Sequence, residues 1–96
     1  MDPEQILKER RDEVLRIAAR HGARGVRVFG SMARREARAG SDIDLLVDLE
    51  PGYSLLDVVA IKQDLEDLLG CKVDVVTEAA ISPYIRTQVL REAIRL

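Results

Sequence analysis

The chain has 96 residues, of which 47% are hydrophobic and 33% are charged, with a formal net charge of −2. These values predict one folded domain over residues 1–96 and exclude both a disordered chain and a generally basic nucleic-acid binder. No apolar run approaches the ~20 residues that span a bilayer, and no signal-peptide pattern opens the sequence, so we expect a cytoplasmic protein. A single cysteine, Cys71, and a single histidine, His21, leave only oxygen ligands for a metal site.

The first segment predicts one long helix. Asp2 and Pro3 suit the N-cap and the first position of a helix that spans residues 3–21, and Gly22 suits its end. One face of this helix is apolar through Leu7, Val14, Ile17 and Ala18.

A strand and a turn are predicted next. Val26, Val28 and Phe29 form a short strand-like run that breaks at Gly30-Ser31. The segment from Met32 to Ala37 has a composition compatible with a short helix, and Ala39-Gly40-Ser41 reads as a loop. The expected order is therefore strand, tight turn and short helix.

The second half of the chain predicts two more strands and two more helices. Ile43, Leu45 and Val47 alternate with Asp42, Asp44, Leu46 and Asp48, which is the period of a strand with one strongly polar face. A helix over residues 54–69 begins with a Ser54 and Asp57 capping box. Another strand runs from Lys72 to Val76, and a last helix runs from Ser82-Pro83 to the chain end. The order αβαβαβα predicts an α/β (α+β) fold with a small mixed sheet of about three strands flanked by about four helices.

Two carboxylates and one turn carry the candidate chemistry. Asp42 and Asp44 are two residues apart, so on a strand they leave the same face with Cα atoms ~6.6 Å apart and can share a divalent cation. Gly30-Ser31 lies at a turn where backbone N–H groups and a hydroxyl can hold phosphate oxygens, and Arg34 follows three residues later. A basic turn beside an acidic strand suits a metal-bound polyphosphate.

This pattern resembles the nucleotidyltransferase superfamily that includes DNA polymerase beta. The segments Gly30-Ser31-Met32-Ala33-Arg34 and Ser41-Asp42-Ile43-Asp44-Leu45-Leu46-Val47 look specifically like the minimal nucleotidyltransferases. Those proteins are the antitoxins of two-gene modules whose partner is a HEPN-domain ribonuclease toxin. The resemblance extends over most of the chain and implies a polymerase beta-like fold.

The resemblance also implies a reaction and its residues. Asp42 and Asp44 would hold two Mg²⁺ ions, which Mn²⁺ can replace, and Asp74 would be a third metal-binding and catalytic carboxylate. Spacing alone does not assign Asp74 to the site. Gly30, Ser31 and Arg34 would bind ATP, and AMP would pass to a tyrosine hydroxyl of the toxin.

Two other functions remain open from the sequence. The protein could be an antitoxin that inhibits its toxin by binding and occlusion alone, although all the acidic positions of the motif are intact. It could also be a stand-alone transferase for small molecules, although such enzymes carry a further domain for the acceptor. Nucleic acid is disfavoured as the substrate because Phe29, Tyr53 and Tyr84 are too few to form a stacking platform.

Two further features bear on the partner and the substrate. Arg35 stands where many members of the family have glycine, which leaves the substrate preference open. The last helix, amphipathic through Val89, Ile94 and Leu96, is a candidate docking surface for the acceptor protein.

Overall fold

The computed structural model describes residues 2–36 and 42–96, and in these residues it has one four-stranded mixed sheet and four α-helices. The strands lie in the order β3-β2-β1-β4, with β1 antiparallel to both neighbours and β2 parallel to β3. Their bounds are β1 Ala23–Phe29, β2 Ile43–Leu49, β3 Val73–Thr77 and β4 Ile94–Arg95. The predicted fold class is confirmed, with one strand more than expected.

The predicted N-terminal helix over residues 3–21 is in fact two helices, α1 (Pro3–Glu9) and α2 (Arg11–Arg20). Asp2 is the N-cap as predicted, because its Oδ1 accepts from the Gln5 N–H at 2.9 Å. The chain bends at Arg10, where φ is −109° and ψ is 20°. The local sequence has no proline or glycine at this bend, so we attribute it to the packing of both segments on one sheet.

The third helix, α3 (Leu55–Leu69), matches its prediction. The Ser54 side chain and the Asp57 side chain form the expected capping box, and Gly70 ends the helix in the left-handed conformation with φ of 69°. These local signals need no tertiary context, which is why the sequence predicts both ends of α3 correctly.

The last helix, α4 (Pro83–Glu92), is shorter than predicted. Ser82 and Pro83 begin it as expected, but it ends at Glu92, and a 3-10 turn at Glu78–Ala80 precedes it. The chain then extends so that Ile94 pairs with Val28 in β1. This pairing uses backbone groups on the free edge of β1 that would otherwise lack partners. The prediction that one helix carries Val89, Ile94 and Leu96 is therefore wrong, because Ile94 lies in β4.

The sheet buries a larger core on one face than on the other. The first face packs against α1, α2 and α3, and its buried residues include Val14, Val28, Leu45, Ile61 and Leu65. The second face packs against α4 through Leu46, Ile81 and Val89. Because side chains alternate along a strand, the even-numbered residues of β2 and β3 lie on this second face. No helix in the described residues is long and apolar enough to cross a membrane.

Candidate active site

Two carboxylates lie side by side at one end of the second sheet face, and a third precedes one of them by two residues. Asp44 in β2 is the direct register partner of Asp74 in β3, and Asp42 stands two residues before Asp44, just ahead of the strand. Asp44 shares its strand face with the buried Leu46, and Asp74 shares its face with Val76. The parallel pairing of β2 and β3 therefore places the two predicted strand carboxylates side by side.

The Asp44 carboxyl group lies in an unfavourable environment for a negative charge. The pKa of Asp44 is raised to about 6, first by burial and then by the neighbouring charges of Asp74 and Asp42 and a hydrogen bond with Asp74. The guanidinium of Arg34 acts against this rise. A cation placed here would remove the repulsion between the carboxylates.

The donor set at this end of the sheet fits a hard divalent cation, since all three ligand candidates are carboxylates. Among residues 2–36 and 42–96, however, no three acidic, histidine or cysteine side chains already form a group close enough to hold a metal ion. Asp42 instead has its Oδ2 at 3.7 Å from the Lys72 Nζ. To bind a shared ion, Asp42 must turn from Lys72 toward Asp44.

Gly30 lies directly against the carboxylates. Its φ is +73°, and a Cβ built on it would overlap Oδ2 of Asp44. The preceding residue, Phe29, is the β1 register partner of Asp44. Glycine is therefore required for two independent reasons, a left-handed backbone and the close approach of an acidic side chain.

The segment after Gly30 is a series of turns, so the predicted helix from Met32 to Ala37 is wrong for its described part. The Arg34 N–H donates to the Gly30 carbonyl at 3.2 Å, and the Glu36 N–H donates to the Ser31 carbonyl at 2.7 Å. The crowding at Gly30 and Asp44 fixes where this segment begins, and local composition does not reveal that constraint. Ala37 and the predicted loop through Ser41 lie outside the described residues.

Arg34 is near the carboxylates but is paired with other acids. Its Nε is 3.1 Å from Glu36, and its Nη1 is 3.1 Å from Glu92 at the end of α4. These two hydrogen bonds raise the pKa of Arg34. Two carboxylates thus hold the guanidinium in place. A phosphate group would offer it similar anionic acceptors.

Residues 4–96 match the family model of the nucleotidyltransferase domain. The chain belongs to that family. It is 41% identical over 91 residues to the protein adenylyltransferase MntA of Thermococcus cleftensis, and the match covers 95% of this chain and 89% of that protein. The chain is therefore a nucleotidyltransferase.

Solved structures support the same assignment. One described as a "putative minimal nucleotidyltransferase" is 56% identical, covers 100% of this chain and 97% of its own, and has a TM-score of 0.86. A toxin-antitoxin crystal structure with AMP-PNP shares the fold, with a TM-score of 0.74 and 20% identity over 88% of this chain and 69% of its own. The resemblance to minimal nucleotidyltransferases and the polymerase beta-like fold are both confirmed.

In this nucleotidyltransferase, Arg35 has a backbone conformation that usually belongs to glycine. Its φ is +58°, and no other non-glycine residue in the described ranges has a positive φ. Glycine at this position would adopt the same conformation without strain. The arginine at position 35 therefore affects the conformation of the turn itself. Its side chain lies at the surface beside the turn.

A lysine that the motif does not reveal lies beside Asp42. Lys72 immediately precedes β3, its side chain is 64% exposed, and its Nζ faces Asp42. Its carbonyl accepts from the Ile43 N–H at 3.0 Å, which joins the starts of the two strands. Its position two residues before Asp74, with the same strand parity, is the signal that could have identified it.

The start of β3 is held by two side chains of α3. Lys62 Nζ donates to the Val73 carbonyl at 2.8 Å, and Glu66 Oε2 accepts from the Val73 N–H at 3.1 Å. The two side chains also pair with each other at 2.9 Å, and these contacts lower the pKa of Glu66. Because β3 is an edge strand, they replace the backbone partners that a further strand would give and so fix the residue before Asp74.

Proposed function

We propose that this nucleotidyltransferase transfers AMP from ATP to a tyrosine hydroxyl of a HEPN-domain ribonuclease toxin and so acts as its antitoxin in the cytoplasm. The observation that carries the proposal is the register pair of Asp44 and Asp74 beside the Gly30 turn, with Asp42 two residues before Asp44. The relative from Thermococcus cleftensis is a protein adenylyltransferase, and structures similar in fold are toxin-antitoxin complexes.

The carboxylates divide the work between metal binding and proton transfer. Asp42 and Asp44 would hold Mg²⁺, or Mn²⁺ in its place, and the chemistry supplied there would be Lewis-acid activation of the attacking hydroxyl and neutralisation of charge on the leaving pyrophosphate. Asp74, in direct register with Asp44, accepts the proton of the tyrosine hydroxyl as that oxygen attacks the α-phosphate. No covalent intermediate with the protein is required.

The turn after β1 holds the triphosphate. Gly30 brings backbone close to the carboxylates, and the Ser31 hydroxyl adds a donor for a phosphate oxygen. Arg34 exchanges Glu36 and Glu92 for the triphosphate, since a phosphate offers the same paired acceptors with more charge. Because the protein contributes positioning and charge, we expect most of the rate enhancement to be electrostatic.

The modification would silence the toxin after the two proteins separate. AMP on a tyrosine beside the ribonuclease site adds bulk and negative charge where RNA phosphates must bind. An antitoxin that acts in this way is needed only in catalytic amounts. Simple occlusion, by contrast, requires one antitoxin for each toxin site.

The test incubates purified HEPN-type toxin with ATP, Mg²⁺ and a small fraction of this protein. We expect the toxin to gain the mass of one or more AMP units and to lose its ribonuclease activity. The matched control is a toxin whose acceptor tyrosine is changed to phenylalanine, which should keep its mass and its activity. An unchanged toxin mass, with inhibition only at stoichiometric amounts, would establish occlusion instead.

The metal requirement is tested by calorimetry of ATP binding. In the presence of Mg²⁺ we expect tight binding, and in EDTA we expect binding to weaken strongly because Asp42 and Asp44 then face the triphosphate charge directly. Equal affinity in both buffers would contradict a metal bridge between the carboxylates and the phosphates.

A further inference from the structure

A groove of about 360 Å³ lies on the sheet face opposite the carboxylates, between α1, the turn after Gly30 and β4. We call it the edge groove. Its floor is apolar and is formed by Leu7, Val28 and Met32, which are all buried. Ile94 of β4 forms one side and is 53% exposed. The edge groove is thus an apolar surface that α1, the turn and β4 leave uncovered.

The rim of the edge groove is positively charged, although the whole chain is acidic. Lys8, Arg11, Arg35 and Arg95 line it, and Glu4 is the one acidic residue of the lining described. Arg11 is paired with Asp12 at 3.5 Å and with the Leu96 carbonyl at 3.0 Å. Within residues 2–36 and 42–96, no carboxylate lies within 4.0 Å of the charged groups of the other three. These cations remain available to an external partner.

The lining indicates which kind of partner fits. Among the described residues that line the edge groove there is no aromatic side chain, so this lining offers no stacking surface for the bases of single-stranded nucleic acid. Its apolar floor matches aliphatic side chains, and its basic rim matches carboxylates on either side of them. A protein segment in which acidic residues flank apolar ones satisfies both requirements.

The position of the groove connects it to catalysis. Met32, Ala33 and Arg35 line it, and they follow Gly30 in the same turn. A chain bound there therefore lies beside the turn that contacts Asp44, at the β4 edge of the sheet. We propose that the edge groove is the docking site for an acidic, apolar segment of the acceptor protein, an inference that rests on the proposed transfer of AMP to a protein.

The main experiment reverses two rim charges that lie outside the nucleotide site. In the Lys8→Glu/Arg95→Glu variant, we expect the Kd for the HEPN-type toxin, measured by calorimetry, to rise about tenfold or more, with the effect shrinking at high salt. The KM for the toxin should rise by a similar factor, while kcat at saturating toxin should stay unchanged. The control is Arg16→Glu/Arg91→Glu, which reverses two exposed charges outside the groove, and it should leave both constants within about twofold.

A second pair of variants tests the apolar wall. Ile94→Thr keeps a β-branched residue in β4 and should weaken toxin binding severalfold. Ile85→Thr changes an isoleucine of similar exposure, 51%, that lies outside the groove, and toxin binding should not change. Melting temperatures of all the variants show whether each remains folded.

The outcomes separate this inference from the proposed function. If AMP transfer occurs and the groove variants bind the toxin as their controls do, the docking site is refuted and the function stands. If the toxin is not modified but the groove variants still bind it more weakly than the controls, docking stands and the transfer is refuted. Absence of any binding to the wild-type chain would overturn the docking site. Labelled single-stranded RNA that binds the wild-type groove and not the variants would also overturn it.

Discussion

The unit β2-α3-β3 and the turn after β1 meet at the carboxylates, but they are stabilised in different ways. The helix of the first region has a capping box at Ser54, a glycine end at Gly70 and a buried apolar stripe. The turn has two positive φ angles, at Gly30 and Arg35, and Gly30 is in close contact with Asp44. The unit β2-α3-β3 thus holds the strands that carry Asp44 and Asp74 by regular packing. The turn after β1 approaches these strands in a locally strained and crowded conformation.

The comparison shows which substitutions should affect chemistry and which should affect stability. In α3 and its strands, buried aliphatic residues contribute free energy of folding. At the turn and the carboxylates, the crowded charges oppose folding and belong to the proposed site. Substitutions in the two regions should therefore have opposite signs in an unfolding experiment.

The largest expected effect is on catalysis. Asp42→Asn combined with Asp44→Asn should lower AMP transfer by at least about a thousandfold, which corresponds to ~4 kcal/mol of transition-state stabilisation. The neutral amides keep the size of the side chains, so the protein should remain folded by circular dichroism. A variant that unfolds would make these two residues structural and would contradict their place in the site.

The next effect is on stability in the first region. Leu65→Ala removes a fully buried side chain from α3 and should lower the free energy of unfolding by roughly 2–5 kcal/mol. Leu56→Ala on the same helix is the matched control, because Leu56 is 80% exposed and should change stability by less than about 0.5 kcal/mol. Urea denaturation measures both values, and a similar loss in the two variants would refute the assignment of the core.

The contrast between the two regions also explains which parts of the fold and of the candidate site can be predicted from the sequence. Asp42, Asp44 and Gly30 were predicted as one site, and the structure brings the Asp44 carboxylate against Gly30 and beside Asp74. The ends of α3 were also predicted, since capping residues act within one turn of the helix. The confirmed ends of α3 rest on signals between residues close in sequence. The grouping of Asp42, Asp44 and Gly30 as one site rests on a recognisable motif and stays a prediction.

The features that the sequence does not predict depend on contacts between segments far apart in the chain. The C-terminal helix was predicted to continue, because the sequence does not show that the edge of β1 is free to pair with Ile94. The break at Arg10 and the ion pair between Arg34 and Glu92 likewise depend on packing between distant segments. The position of Lys72 beside Asp42 is not predicted, because the motif ends before Lys72. Lys72 and Asp74 are two residues apart, which indicates that both lie on the same face of the strand.

A smaller effect should appear when one crowded charge is removed. The pKa of Asp44 is raised from its ordinary value of 3.8 to about 6, so the folded state holds this proton more tightly than the unfolded state does. Stability therefore falls as pH rises from about 4 to about 6, because the ionised group is disfavoured in the fold. The whole shift would be worth about 3 kcal/mol, and screening of this half-exposed group reduces that to about 1–2 kcal/mol.

Asp44→Asn should accordingly stabilise the protein in EDTA at pH 8 by about 1–2 kcal/mol and have little effect below pH 4. Denaturant unfolding across this pH range provides the measurement. Asp48→Asn is the control, since Asp48 is an exposed residue of the same strand that lies away from the other carboxylates. Its Oδ1 is 3.5 Å from the Nη2 of Arg24. A stabilisation that does not depend on pH would argue against charge repulsion as its cause.

The smallest expected effect concerns the strain at Arg35. A non-glycine residue at φ of +58° costs roughly 1–2 kcal/mol, and glycine avoids that cost but adds about 0.4–1 kcal/mol of entropy to the unfolded chain. Arg35→Gly should therefore raise the free energy of unfolding by about 0.5–1 kcal/mol. Arg35→Ala removes the same side chain and keeps the strained backbone, so thermal unfolding should show little change. If alanine stabilises the protein as much as glycine does, the side chain of Arg35, and not the left-handed turn, is what opposes folding.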